Sequence, residues 1–224
     1  MSSVASPPKL RNLAELIDRL GGVPLDRVRL HPWPATVDDV VQIDAHEDRL
    51  CELVDGVLVE KTMGLHESQI AYLIGSALLS FIEKDGLGIV TGPDGMIRLL
   101  SKQVRMPDVA FYSWGRLPDG EIPAEPVPEI VPDLAVEVLS ASNSAGEMSR
   151  KLREYFSAGV RLVWYVDPVS KSVTVYTSVA RSKVVPVEGT LDGGKVLPGF
   201  ELPVRDLFAV KKGRSKKNGH RGKR

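Results

Sequence analysis

Residues 132–156, PDLAVEVLSASNSAGEMSRKLREYF, limit the fold more than any other stretch. The run from Leu134 to Leu139 has strand length and is rich in aliphatic side chains. Ser144 and Glu147 then fit a capping box, and Met148, Leu152, Tyr155 and Phe156 follow at helical spacing. A strand joined by a short turn to an amphipathic helix needs a sheet to cover both, which points to an α/β or α+β fold. Inside that strand stands Glu137. Alternation puts Ala135, Glu137 and Leu139 on one face and Leu134, Val136 and Val138 on the other. A carboxylate on a covered face is costly unless a basic side chain or a metal ion meets it.

The remaining elements read in order along the chain. Residues 12–20 have the spacing of a short amphipathic helix stopped by Gly21-Gly22, and a second short helix is expected from about Thr36. Asp55-Gly56 between apolar runs is a two-residue hairpin signal, and residues 67–84 form a long helix with a broad buried face. Strands are expected at residues 88–92, 96–100, 107–112, 134–139, 162–166 and 173–177, with short Gly- and Pro-punctuated strands near VLPGFELPV. The sum is a mixed sheet flanked by helices. Residues 1–48 read as an N-terminal extension, 49–210 as the main domain and 211–224 as a disordered basic tail, with residues 117–132 as a long surface loop.

Composition narrows the setting. Of 224 residues 43% are hydrophobic and 26% charged, the balance of a globular chain. The formal net charge of zero conceals a division: residues 211–224 carry eight Lys or Arg and no acid, leaving 21 basic against 29 acidic residues in the first 210, a net charge of −8. Such a tail adds non-specific attraction to phosphate backbones. Cys51 is the single cysteine, so an internal disulfide is excluded, and neither an export signal nor an apolar run of membrane-spanning length is apparent. A cytoplasmic protein is expected.

Asp108 follows Pro107 at the start of one apolar strand, and Glu137 lies within another. If the two strands are neighbours, both carboxylates can converge on one divalent cation, and oxygen ligands suit Mg²⁺ or Mn²⁺ better than Zn²⁺. Lys151 borders the buried stripe of the following helix. From Ser144 to Lys151 is about 10 Å of helix, and from Glu137 to the strand end roughly 7 Å. A helix doubling back along the sheet therefore brings Lys151 level with Glu137. The plainer alternatives are a turn role for Asp108 and a structural salt bridge for Glu137.

At these residues the sequence resembles the Uma family of bacterial restriction endonucleases, within the PD-(D/E)xK nuclease superfamily. The segments that carry the likeness are CELVDGVLVEKTMGLHES, VRMPDVAFYSWGRLP, PDLAVEVLSASNSAGEMSRKLREYFSAGVRLVWYVDP and TLDGGKVLPGFELPV, in matching order over about residues 50–208. The resemblance implies a restriction-endonuclease-like core with a four-stranded mixed sheet, and metal-dependent phosphodiester cleavage in DNA. It matches Asp108 and Glu137 to the metal-holding acids, with Mg²⁺ or Mn²⁺ as cofactor. Where many members carry Lys two residues after the second acid this chain has Leu139, which passes the basic role to Lys151. Glu52, Glu60 and His66 are accessory candidates. The hairpin turn puts Glu52 and Glu60 on opposite faces, so only one can reach the centre. DNA is the expected partner, a homodimer suits cleavage of both strands, and a catalytically silent nucleic-acid-binding or interaction protein of the same fold is the competing reading.

Overall fold

The computed structural model describes residues 10–47, 49–100 and 103–209; the first nine residues of the expected extension and the tail at 211–224 lie outside them. Helix α1 (Leu13–Arg19) starts at Asn12, whose side chain accepts from the Glu15 N–H at 2.9 Å. Helix α2 (Val37–Glu47) is preceded by Thr36, whose hydroxyl donates to Asp39 at 2.7 Å. Strands β1 (Cys51–Val54) and β2 (Val57–Glu60) then form the expected hairpin, with Asp55 and Gly56 at φ 51° and 80°. Positive φ at both central residues is what a two-residue hairpin turn of this hand demands.

Helix α3 (Leu65–Ile82) buries Ile70, Ala71, Ile74, Leu78 and Ile82 along one face. After it come β3 (Gly88–Thr91), β4 (Ile97–Leu100), β5 (Gln103–Arg105), β6 (Val109–Ser113) and β7 (Leu134–Val138). Helix α4 (Ala145–Ala158) crosses to β8 (Leu162–Asp167), and β9 (Ser172–Ser178), β10 (Arg181–Val185), β11 (Thr190–Gly193), β12 (Leu197–Pro203) and α5 (Arg205–Phe208) complete the described chain. The main sheet runs β10-β9-β8-β7-β6-β3, with β7 and β8 parallel and the other pairs antiparallel. Its two faces follow the alternation read from the sequence. Leu134, Val136 and Val138 pack with α3 and Trp164, while Ala135 packs with Met148, Leu152 and Tyr155 of α4.

Three expectations need correction. The main sheet has six strands rather than four, and the hairpin belongs to a separate antiparallel sheet of order β2-β1-β5-β4. Pro107 is the physical cause: lacking an N–H, it interrupts the run VRMPDVAFY, so β5 pairs with β1 and β6 pairs with β7. Strand β10 was not anticipated because four of its five residues are exposed and show no apolar alternation. The stretch at 117–132 is not purely superficial, since Leu117, Val127 and Ile130 are buried and Pro128 O accepts from the Arg98 N–H at 2.9 Å.

The segment before the hairpin is fastened to the start of α4. Ser144 caps that helix, accepting from the Glu147 N–H at 3.1 Å, and its hydroxyl donates to Gly21 O at 2.6 Å. The Glu147 side chain does not return to the cap but meets the Arg27 guanidinium in two bonds of 2.9 Å, both groups buried. A Cβ on Gly146 would stand 2.3 Å from Gly21 O, so only glycine permits this approach. Gly146→Ala should therefore cost about 1–3 kcal/mol by urea denaturation. Gly115→Ala, which meets nothing within 4 Å, should stay within about 0.5 kcal/mol of wild type.

Candidate active site

Pro107 ends one sheet and delivers Asp108 to the other. The Asp108 N–H donates to Val136 O at 2.9 Å, and its Oδ2 accepts from the Val138 N–H at 2.7 Å. These two bonds bracket Glu137, so the acids sit side by side on adjacent strands, 4% and 5% exposed. Residues of the same parity, Ala110 and Ala135, pack beneath α4, which is the side Glu137 faces.

Helix α4 doubles back as the spacing requires. Lys151 Nζ lies 3.2 and 3.1 Å from the two oxygens of Glu137 and 2.9 Å from Glu52 Oε1. Four residues on, and so on the same helix face, the Tyr155 hydroxyl donates to Glu137 Oε1 at 2.5 Å. Of the two hairpin acids it is Glu52 that points inward, where it also accepts from Arg105 Nη1 at 2.7 Å and from the Met106 N–H at 3.2 Å. Glu60 faces the other way and pairs with Arg49 at 3.0 Å. His66 is exposed in the first turn of α3, and the side-chain hydrogen bonds of the cluster do not include it.

Sequence reasoning missed two basic partners. Lys61, one residue past β2, places Nζ 2.8 Å from Asp108 Oδ1, 2.7 Å from Met106 O and 3.0 Å from Pro93 O. Arg105 bridges Glu52 to Glu154, donating to the latter from Nε at 2.8 Å. Neither carries a local signal, because their acidic partners lie 47 and more residues away in the chain. Tyr155 was legible as part of the buried stripe four residues after Lys151, although its hydroxyl partner was not.

The environment drives the two acids that share Lys151 apart. Burial raises the pKa of Glu52, but Lys151 and then Arg105 outweigh it and hold the group at about 2. Burial raises Glu137 too; Lys151 opposes this, while Asp108 and Glu52 reinforce it, so Glu137 lies above the ordinary carboxylate range. One ammonium cannot fully compensate both. Burial disfavours the charge on Lys151, yet Glu137 and Glu52 overcome that and keep its pKa above normal. Burial, followed by Glu137, pushes the Tyr155 phenol well up, so it remains a donor.

Among the described residues no group of three or more His, Cys, Asp or Glu side chains is arranged to hold a metal ion. The oxygens of Asp108 and Glu137 nevertheless fit Mg²⁺ or Mn²⁺ by hardness and by charge. Asp108 and Glu52, which reinforce the effect of burial on Glu137, would also favour a cation beside it. A groove of about 330 Å³ lined by Ser68, Tyr72, Thr91 and Pro93 reaches Asp108. A second cleft of about 470 Å³, which shares Ser68 and Pro93 with it, reaches Lys61.

This mixed sheet, with helices on both faces and a helical crossover between its parallel strands, is a restriction-endonuclease-like architecture. The chain belongs to the Uma2 family, described as "Putative restriction endonuclease", whose model matches residues 37–205. It is similar to a solved structure from Anabaena variabilis ATCC 29413, described as a putative nuclease belonging to DUF820, with a TM-score of 0.67 and 22% identity over 78% of this chain and 98% of that one. No curated protein matches the chain. Among the described residues no helix is long and apolar enough to cross a membrane.

Two stability measurements probe the cluster. Arg105→Leu leaves Glu52 and Glu154 without the guanidinium they share and should cost about 3–5 kcal/mol by urea denaturation. Glu52, with a folded pKa of about 2 against an ordinary 4.5, contributes stability that is complete above the ordinary value and is lost as pH falls through the folded one. Glu137 has the opposite sign, its contribution falling as pH rises. Glu52→Gln should thus flatten the acid limb of the stability curve between pH 4.5 and 2; an unchanged limb would contradict the assignment.

Proposed function

We propose that the protein is a divalent-metal-dependent endonuclease hydrolysing phosphodiester bonds in DNA, with Asp108, Glu137 and Lys151 at its centre. The observation that carries this reading is the bracketing of Glu137 by the two bonds of Asp108 to β7, with Lys151 Nζ 3.1 Å from Glu137. The family description points the same way. Asp108 and Glu137 would hold Mg²⁺ or Mn²⁺, which when bound polarises a phosphate and lowers the pKa of a coordinated water. Lys151, kept protonated by its two acids, presents positive charge where charge builds on the phosphate oxygens. Tyr155 fixes one oxygen of Glu137, and Glu52, kept ionised beside Arg105, holds Lys151 in place. This arrangement supplies from α4 the basic group missing at Leu139.

The reading has the enzyme act on cytoplasmic DNA, with a homodimer for cleavage of both strands. The acidic body repels DNA, so metal and the basic segment at 211–224 have to offset that repulsion.

A catalytically silent nucleic-acid-binding or interaction protein of the same fold is favoured by one observation: both oxygens of Asp108 are already bonded within the chain. Plasmid nicking separates the two readings. Wild type should open supercoiled DNA with Mg²⁺ or Mn²⁺ and not with a chelator. Asp108→Asn, which keeps an acceptor for the Val138 N–H, and Lys151→Met should each slow nicking by at least about 10²-fold. Activity that survives both substitutions contradicts this centre, and a folded wild type inert with either metal supports the silent reading.

A further inference from the structure

Lys61 holds the oxygen of Asp108 that faces away from β7. Its ammonium is ringed by three oxygens at 2.7–3.0 Å: Asp108 Oδ1, Met106 O and Pro93 O. Two of these are carbonyls that cannot be protonated, and all three are hard ligands of the kind a small cation takes. The other oxygen, Oδ2, is committed to the Val138 N–H, where it secures the end of β7. Oδ1 is therefore the oxygen open to exchange.

Charge balance leads to the same place. Asp108, Glu137, Glu52 and Glu154 carry four negative charges against the four positive ones of Lys61, Lys151, Arg105 and Arg150, with Lys151 and Arg105 each shared between two acids. These eight groups carry no net charge in their ionised forms, so Lys61 offsets much of the attraction that Asp108 and Glu137 have for a dication. Withdrawal of Lys61 alone leaves the set negative and frees Oδ1. The side chain has somewhere to go, because it lines the cleft of about 470 Å³ that Glu60 and Asp94 also line. Lys151 and Arg105 line neither this cleft nor the groove at Asp108 and are 4% and 2% exposed.

We infer that Lys61 is a resident cation at Asp108 which a divalent metal ion must displace, so that metal affinity is set by how often Lys61 leaves its three oxygens. This rests on the metal-dependent reading above, and adds that the chain regulates its own metal site. Apparent affinity is reduced by the fraction of molecules in the competent state. Removing the competitor should therefore tighten binding.

The test is direct Mn²⁺ binding to the full chain, by electron paramagnetic resonance and calorimetry, without DNA or turnover. Wild type, Lys61→Gln, Lys61→Met and the double variant Lys61→Gln/Asp108→Asn are compared, each first shown folded by circular dichroism. Lys61→Gln retains a donor for Asp108 and serves if the Met variant does not fold. The expected result is binding about tenfold or more tighter in the single Lys61 variants than in wild type, and lost in the double variant. Equal or weaker binding in the single variants, with wild type still binding, overturns the role of Lys61 and leaves the metal reading standing. Tighter binding that persists in the double variant also overturns it, since the ion then sits away from Asp108. Absence of Mn²⁺ binding in wild type and in both single variants overturns the metal reading itself, and the role of Lys61 with it.

Discussion

The arrangement of this protein turns on a lysine ammonium held between two buried carboxylates. Lys151 comes from α4, Glu137 from the main sheet and Glu52 from the small sheet, so one charged group ties three layers together. Without it, Glu137 would be an uncompensated charge on a covered face, an arrangement a folded chain does not tolerate. The register of α4 against β7 is fixed by the same contact. The helix start, closed by Ser144 and by the Gly21–Gly146 approach, sets how far along the sheet Lys151 reaches.

The small sheet does more than cap the large one. Its strands and their ends deliver Glu52, Arg105 and Lys61, each aimed at a group carried by the main sheet or by α4. Pro107 makes this division by ending β5 and letting the chain re-form as β6 in a different sheet. Asp108 sits at that break, and its backbone and side chain both bond to β7 around Glu137. A structural role and the proposed chemical one thus coincide in one residue. Its removal disturbs the end of β7 as well as the charge, which is why Asn is the informative replacement and Ala is not.

Much of the fold could be read from local pattern. The Asp55-Gly56 turn, the stripe of α3 and the alternation around Glu137 are short-range signals, and the structure follows each. The level meeting of Lys151 and Glu137 was also legible, because strand rise and helix rise are fixed lengths. Lys61 and Arg105 were not, since a lone basic residue after a hairpin looks the same whether it faces water or a buried acid. Their meaning depends on a sheet assembled from segments some 50 residues apart, and no periodicity records that pairing. Strand β10 was hidden for another reason: exposed on most of its length, it lacks the apolar rhythm by which strands are recognised.

Asp108 and Glu137 are proposed to form one cation site, with Lys61 as the resident cation at Asp108. Anomalous diffraction from crystals soaked in Mn²⁺ tests it most directly. A single strong peak bonded to both carboxylates is expected, with Lys61 Nζ withdrawn from Asp108 Oδ1 and Lys151 still on Glu137. A peak bound elsewhere, with the Lys61–Asp108 pair intact, would contradict it.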